Sequence, residues 1–395
     1  MTAKVPYGWA ERAPLVELDF PVAEFEGRVA RLQAALGDSD MDALLIWEEA
    51  DRGGNVRYVS GFNMVWGSSV VLVHRSRPPV LVTNAIAHGE PMHSNIQTTW
   101  LEDVRVSFSG AAEDLYALAA SVMADWGVAP ERVMVAGHAL APYAAAKPMI
   151  DAHGAAAIER GDALMTRMRA IKSPAEIEII RRVAALTSRA MDAAMAAAIV
   201  GASESDVAAA AHQACIAGGA ERMSFGCFPV AGRRGNLKNV FPRPNGIIAA
   251  EDLVVIDLGC KLFGYQSDMS RNVAARPSQL MREVVEAVEA ANAAAFAHTR
   301  PGVTTHSVVA AMNAVIAERG FSAWDFTLCH GFGLELTETP MFRNRAPLTL
   351  EAGMCFYVEP IIAHDSFGCA CVEDMLLVTA TGCEKLSATK VPFTG

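Results

Sequence analysis

Four acidic residues stand where strands ought to be apolar, and they narrow most what this chain can become. Asp257 interrupts "DLVVIDLGC", Asp268 sits in "YQSDMSRNVAA", Glu359 closes "MCFYVEP" and Glu373 breaks "CVEDMLLVTA". A carboxylate that a strand carries into a core must be paired, protonated or bound to a cation, because an isolated buried charge is too costly. The stretch "VVIDLGCKLFGYQSDMSRNV" reads as two strands joined by a turn around "KLFGY", so Asp257 and Asp268 are expected to face each other across a hairpin. Two carboxylates on one buried face repel, and a shared divalent cation is the strongest remedy. Each acid alone admits a plainer reading, as a turn-flanking surface acid or an arginine's partner. Taken with His330 in "CHGFGLELTETP", the four form an oxygen-rich set with one imidazole, which suits a pair of divalent ions. A water shared by two such ions loses a proton near neutral pH, and the same ions polarise a scissile carbonyl, so hydrolysis is the natural chemistry.

The chain has 395 residues, of which 52% are hydrophobic and 19% charged, enough for a large core and more in keeping with two domains than one. No apolar run approaches the roughly 20 residues that span a bilayer, and the start "MTAKVPYGWAERAPLVELDF" has no signal-peptide pattern. The expectation is a soluble, cytoplasmic protein that does not engage membrane. With 33 basic against 44 acidic side chains, the net charge of -11 argues against a nucleic-acid partner. The eight cysteines contain no C-x-x-C pair and are expected to behave as small buried hydrophobes. Cys369 and Cys371, one residue apart, would share a face of a strand.

From Phe20 to about residue 150, helical patterns such as "VAEFEGRVARLQAALGD" alternate with strand-like "DALLIW", "SSVVLVH" and "PPVLVTN", an α/β pattern. Residues 1–160 are therefore expected to form one domain and 161–395 a second. In the second, Ser173, Pro174 and Glu176 make a capping box that opens a helix expected to run to Gly201, and Ser203 with Asp206 opens another. Helices in "MREVVEAVEAANAAAFAHTRPG" and "TTHSVVAAMNAVIAERG" set against antiparallel strands point to α+β architecture.

These residues resemble a known pattern. "VVIDLG", "SDMSRNV", "CHGFGLELTETP", "YVEP" and "VEDMLLVT" are similar in order and spacing to the five-ligand motif of the creatinase, prolidase, aminopeptidase P and methionine aminopeptidase superfamily, peptidase family M24. "RMRAIKSPAEIEIIRRVA" and "NVRYVSGF" resemble that family's two-domain members, so the likeness covers nearly the whole chain. It implies a pita-bread α+β catalytic domain behind an α/β creatinase-type N-terminal domain, usually in a homodimer. It also implies that Asp257, Asp268, His330, Glu359 and Glu373 hold two divalent ions, with Asp268 and Glu373 bridging. Manganese is favoured slightly over iron, cobalt or zinc.

The departures fall on the substrate side. Peptidase members carry a histidine where this chain has Phe241 or its neighbour Val240, and a second where it has Thr337, before the expected Glu338. The family's E-P-G becomes Glu359-Pro360-Ile361, and an arginine two residues before the last ligand becomes Cys371. A threonine hydroxyl donates a hydrogen bond but is no cationic proton donor. Thr337 and Glu338, with His364 nearby in sequence, are the candidate catalytic residues, and Phe241, Arg233, Arg234 and Ile361 the candidate substrate contacts; Lys238, Arg243, Arg343 and Arg345 are further basic candidates, and each of these basic residues and His364 also admits a plainer surface or interdomain role. A hydrolase of an amide-like C–N bond in a small molecule is the leading expectation. An Xaa-Pro dipeptidase or aminopeptidase, a metal-dependent lyase on a small carboxylate, and a non-catalytic binding module are the alternatives.

Overall fold

The alternation of helix and short apolar run in the first part of the chain builds a mixed sheet. The computed structural model describes residues 9–50, 52–84, 96–237, 240–322 and 329–389; Lys238 and residues 325–328 ahead of His330 lie outside them. Two compact units divide the chain, Met1–Met168 and Arg169–Gly395, and residue 161, where the sequence reading begins its second domain, lies inside the helix Ala155–Ala170. Among the described residues, no helix is long and apolar enough to cross a membrane.

In the first unit, strands β1 (Ala43–Glu49), β2 (Ser68–His74), β3 (Val80–Asn84), β4 (Asp103–Ser107) and β5 (Val133–Ala136) lie in the order β4-β3-β2-β1-β5. β1 pairs antiparallel with β2 and parallel with β5, and is buried from Ala43 to Glu48, which is why it reads as a nearly continuous apolar run. Helix Val22–Gly37 buries Phe25, Val29, Leu32 and Leu36, an amphipathic stripe. Leu115, Ala119 and Val122 of helix Ala112–Asp125 share a core with Leu45, Trp47, Val70 and Leu72 of the sheet.

In the second unit the Ser173 hydroxyl accepts from the Glu176 N–H and the Glu176 carboxylate accepts from the Ser173 N–H, closing the expected capping box of helix Pro174–Ala197. The helix stops four residues short of Gly201 because Gly201 and Ala202 pair their backbones with Ile248 instead. Ser203 and Asp206 cap helix Glu204–Ala217 in the same way. Helices Gln279–His298 and Thr305–Glu318 pack Val284, Val288, Ala291, Val308 and Met312 against Phe356, Val358 and Leu376. The strands are β6 (Arg222–Ala231), β7 (Val254–Leu262), β8 (Tyr265–Gln266), β9 (Met269–Val273), β10 (His330–Gly331), β11 (Glu338–Met341), β12 (Cys355–Val358), β13 (Ile361–His364), β14 (Gly368–Cys371), β15 (Asp374–Val378) and β16 (Cys383–Lys385). All their described pairings are antiparallel.

Two long hairpins in this unit each hold one register across an interruption. β7 pairs Leu262 with Tyr265 around Phe263 and Gly264, both in the left-handed region at φ 50° and 82°, the signature of a tight hairpin turn. The same register pairs Asp257 with Ser270, so Asp268, in the gap between β8 and β9, falls opposite Gly259. Asp257 and Asp268 therefore do not face each other directly. The two-residue turn fixes a register that sets them diagonally on one face. In the other hairpin Val358 pairs with Asp374 and Ile361 with Cys371, one register broken only at Glu359–Pro360 and Val372–Glu373. Glu359 and Glu373 thus stand opposite each other at the break.

Candidate metal centre

An acid in a regular strand alternates with its neighbours from face to face, but three of these four lie where the ladder opens. At the first opening a Cβ on Gly259 would overlap the Ser267 carbonyl oxygen, so only glycine lets the chain carrying Asp268 come this close. The Ser267 hydroxyl accepts from the Cys260 N–H (2.9 Å), covering a ladder bond lost there. At the second opening the Glu373 N–H donates to the Ser270 carbonyl (3.1 Å), which ties one hairpin to the other.

The result is a buried group in which one carboxylate oxygen each from Asp257, Asp268 and Glu373 lies within 4.8 Å of the others. The Ser270 hydroxyl lies 2.9 Å from Asp257 Oδ1 and 3.1 Å from Glu373 Oε2, and its single proton serves one of them at a time. Glu359 is buried across the hairpin from Glu373, with the Cys371 thiol donating to its Oε1 at 3.8 Å. His330 is buried on β10, where its Nδ1 donates to the Gly331 carbonyl (3.1 Å), so the neutral imidazole would carry its lone pair on Nε2. Tyr357, opposite His330 in the ladder, presents its ring to the imidazole edge-on at 5.0 Å and stacks on Phe332 at 4.2 Å. The three-carboxylate group thus unites three of the five expected ligands; Glu359 stands opposite Glu373 in the hairpin register, and His330 lies on β10, which pairs with β12.

Behind the carboxylates lies a buried cation. The Arg271 guanidinium donates to the Ser270, Glu373 and Thr389 carbonyls and, at 2.6 Å, to Asp374 Oδ1. Burial works to raise the Asp374 pKa, but Arg271 and Lys385 outweigh it and hold the carboxyl below the usual range. Asn272 fastens the strand by donating to the Cys369 carbonyl and accepting from the Cys371 N–H.

The donor set fits hard or borderline divalent ions. Burial, reinforced by Asp257 at Cys227 and by Glu373 at Cys329, pushes those two neighbouring thiols up, so they remain protonated and offer no thiolate. The Tyr357 hydroxyl is buried and finds no hydrogen-bond partner among the described residues; burial and then Asp268 and Glu373 raise its pKa well above the usual value. An orphaned hydroxyl beside several carboxylates is costly in a closed core and is in keeping with a place built to hold ions.

The expected substrate-side residues scatter. Thr337 is exposed. Glu338 is bound by Arg169 and by Lys172 (2.7 Å); burial favours its neutral form, yet the two cations lower its pKa, so it stays a carboxylate. His364 closes a turn, its Nδ1 accepting from the Ser366 N–H (3.2 Å) and its ring stacked on Phe367. Ile361 is buried with Cys369 and Cys371, which do share one face. Arg233, Arg243, Arg343 and Arg345 are exposed, while Arg234 is engaged by Glu204.

Phe241 is 82% exposed, its ring edge-on to Phe228 at 5.8 Å, and Phe228 pairs directly with Asp257 across β6 and β7. A bulge between Met223 and Cys227 turns β6 so that Phe225 meets Phe228 at 5.6 Å, although a regular strand would put residues three apart on opposite faces. An aromatic group therefore borders the carboxylates. Sequence reasoning missed this bulge, and it missed Ser270, whose spacing of two from Asp268 placed it on the same face.

The family model described as "Metallopeptidase family M24" matches residues 178–380, and the "Creatinase/Prolidase N-terminal domain" model matches residues 28–171. An Xaa-Pro dipeptidase of Pyrococcus horikoshii is 32% identical over 236 residues, 58% of this chain and 66% of that protein; an uncharacterized peptidase, YqhT, of Bacillus subtilis is 32% identical over 55% of this chain and 62% of its own length. The aligned stretches span a little under two thirds of these relatives. Among solved structures, the prolidase from Pyrococcus horikoshii shares the fold at a TM-score of 0.78 and 24% identity, covering 93% of this chain and 99% of that one. The dipeptidase PepE from Mycobacterium ulcerans matches at 0.78 and 25%, covering 94% and 97%. Buried carboxylates at the breaks of two hairpins, on a fold shared with prolidase, meet a family match through the whole site: the chain belongs to metallopeptidase family M24, whose enzymes use divalent metals.

Proposed function

We propose that this protein is a divalent-metal hydrolase of an amide-like C–N bond in a small molecule, and that its substrate is not a conventional Xaa-Pro dipeptide. The observation that carries this is the convergence of Asp257, Asp268 and Glu373 within 4.8 Å in a buried site. These three with Glu359 and His330 would hold two divalent ions. The ions would supply an activated water and polarisation of the scissile carbonyl. The chain's own residues do the rest: Ser270 sits between Asp257 and Glu373 and donates to one of them at a time, and Tyr357 packs against His330. Glu338, kept anionic by Arg169 and Lys172, is not a proton donor and instead fixes the segment that carries Thr337. Thr337 offers a hydroxyl to charge developing on the substrate, and Phe241 with Phe228 offers an apolar aromatic wall beside Asp257.

The test is a panel of Xaa-Pro dipeptides and non-peptide amides and amidines, assayed in water enriched in heavy oxygen. We expect a non-Xaa-Pro member to be cleaved with the highest kcat/KM and one solvent oxygen to enter the product. The names of the relatives favour a second reading, an Xaa-Pro dipeptidase, which a highest kcat/KM on Xaa-Pro dipeptides would establish in place of ours. Turnover without solvent oxygen would mean a lyase, and no turnover together with no bound metal a binding module.

A further inference from the structure

Glu204 is the first residue of helix Glu204–Ala217, a place where an acid ordinarily faces water, yet it is only 1% exposed. Both its carboxylate oxygens point at the connection between β6 and β7. Oε1 accepts from the Ala231 N–H (3.1 Å) and from Arg234, and Oε2 accepts from the Arg243 N–H (3.0 Å). The Glu204 N–H donates to the Gly246 carbonyl (3.0 Å), and a Cβ at residue 246 would come within 2.7 Å of the carboxylate, so glycine makes room for it. One carboxylate thus joins the end of β6 to residues 234 and 243, on either side of Phe241.

We propose that Glu204 is a positioning residue that sets Phe241 against Phe228, and so fixes the aromatic wall beside Asp257. The proposal rests on the reading above that Phe241 borders the substrate. A charged acceptor shared by two backbone amides and a guanidinium is a strong, directional tie, and losing it frees the connection without touching a metal ligand.

The test uses the full chain loaded with metal. Glu204→Gln keeps the shape and removes the charge. It is expected to speed hydrogen exchange of the Ala231 and Arg243 amides by on the order of 10-fold or more. It should also raise KM for the best-cleaved amide of the panel by on the order of 10-fold, with kcat within about 3-fold and metal content unchanged. In a Phe241→Ala background the same change should add less than about 2-fold to KM, because residues acting in series are not additive. Unchanged exchange overturns the tie, whatever the kinetics. Faster exchange with a fully additive KM effect overturns the route through Phe241. A wild-type KM in Phe241→Ala alone sinks the substrate-side reading of Phe241 and leaves the exchange result standing. Should Glu204→Gln not fold, Arg234→Met removes one partner only and is expected to move exchange and KM in the same direction; no change in either overturns the tie.

Discussion

The two hairpins that carry the acids meet the same difficulty differently. In the β7–β9 hairpin, Asp257 stays inside the ladder opposite Ser270, and only Asp268 occupies a break, which exists because Gly259 yields to the Ser267 carbonyl. In the β12–β15 hairpin, Glu359 and Glu373 face each other across a break, backed by the buried pair of Arg271 and Asp374. One hairpin makes room by removing a side chain; the other is backed by a charge that the first supplies, since Arg271 sits on β9. The difference teaches that these carboxylates are placed by interruptions of the ladder as much as by strand alternation.

The comparison breaks most completely at the acids themselves. Asp268→Ala or Glu373→Ala should remove metal and activity together, by more than the roughly 10²-fold that an outer hydrogen-bonding partner is worth, measured as bound metal and turnover on one preparation. Retained metal in either variant would place the ions elsewhere. Gly259→Ala acts on the first hairpin alone, since its Cβ meets backbone; thermal unfolding should report a loss of about 4 kcal/mol or more. Asp374→Asn strikes the tie between the two, because Arg271 sits on β9, and leaves that guanidinium buried without its full charge partner, at about 3–5 kcal/mol. Because the Asp374 pKa is lowered in the fold, its stabilisation is fully present above its unfolded value of about 3.9 and is lost as pH falls through the lower folded value. Urea unfolding across that acid range should therefore be less pH-dependent in the variant. Ser270→Ala, which touches both hairpins, is the mildest: a 10- to 100-fold weaker metal affinity with the fold intact.

Much of this was legible in the sequence. Ser173, Pro174 and Glu176 announce their helix through local chemistry, and the capping box forms as read. The acids declare themselves because a carboxylate in an apolar strand is costly and conspicuous, and Asp257, Asp268 and Glu373 do converge. What local chemistry could not show is register. The Phe263–Gly264 turn shifts Asp268 from opposite Asp257 to a diagonal, and the β6 bulge gathers Phe225 with Phe228. The glycines beside His330 carry the same lesson. They suggest room for ions, but a Cβ on Gly331 would overlap Pro340 and one on Gly333 the Glu338 carboxylate, so they make room for β11. Nor can "LTETP" show that Glu338 is held by Arg169 and Lys172, more than 160 residues earlier.

The central claim, that the interrupted hairpins assemble a two-ion site, is tested most directly by elemental analysis of protein purified without chelator. The account predicts about two divalent ions per chain, falling together in Asp268→Ala. Less than about one ion per chain in the unaltered protein would contradict it.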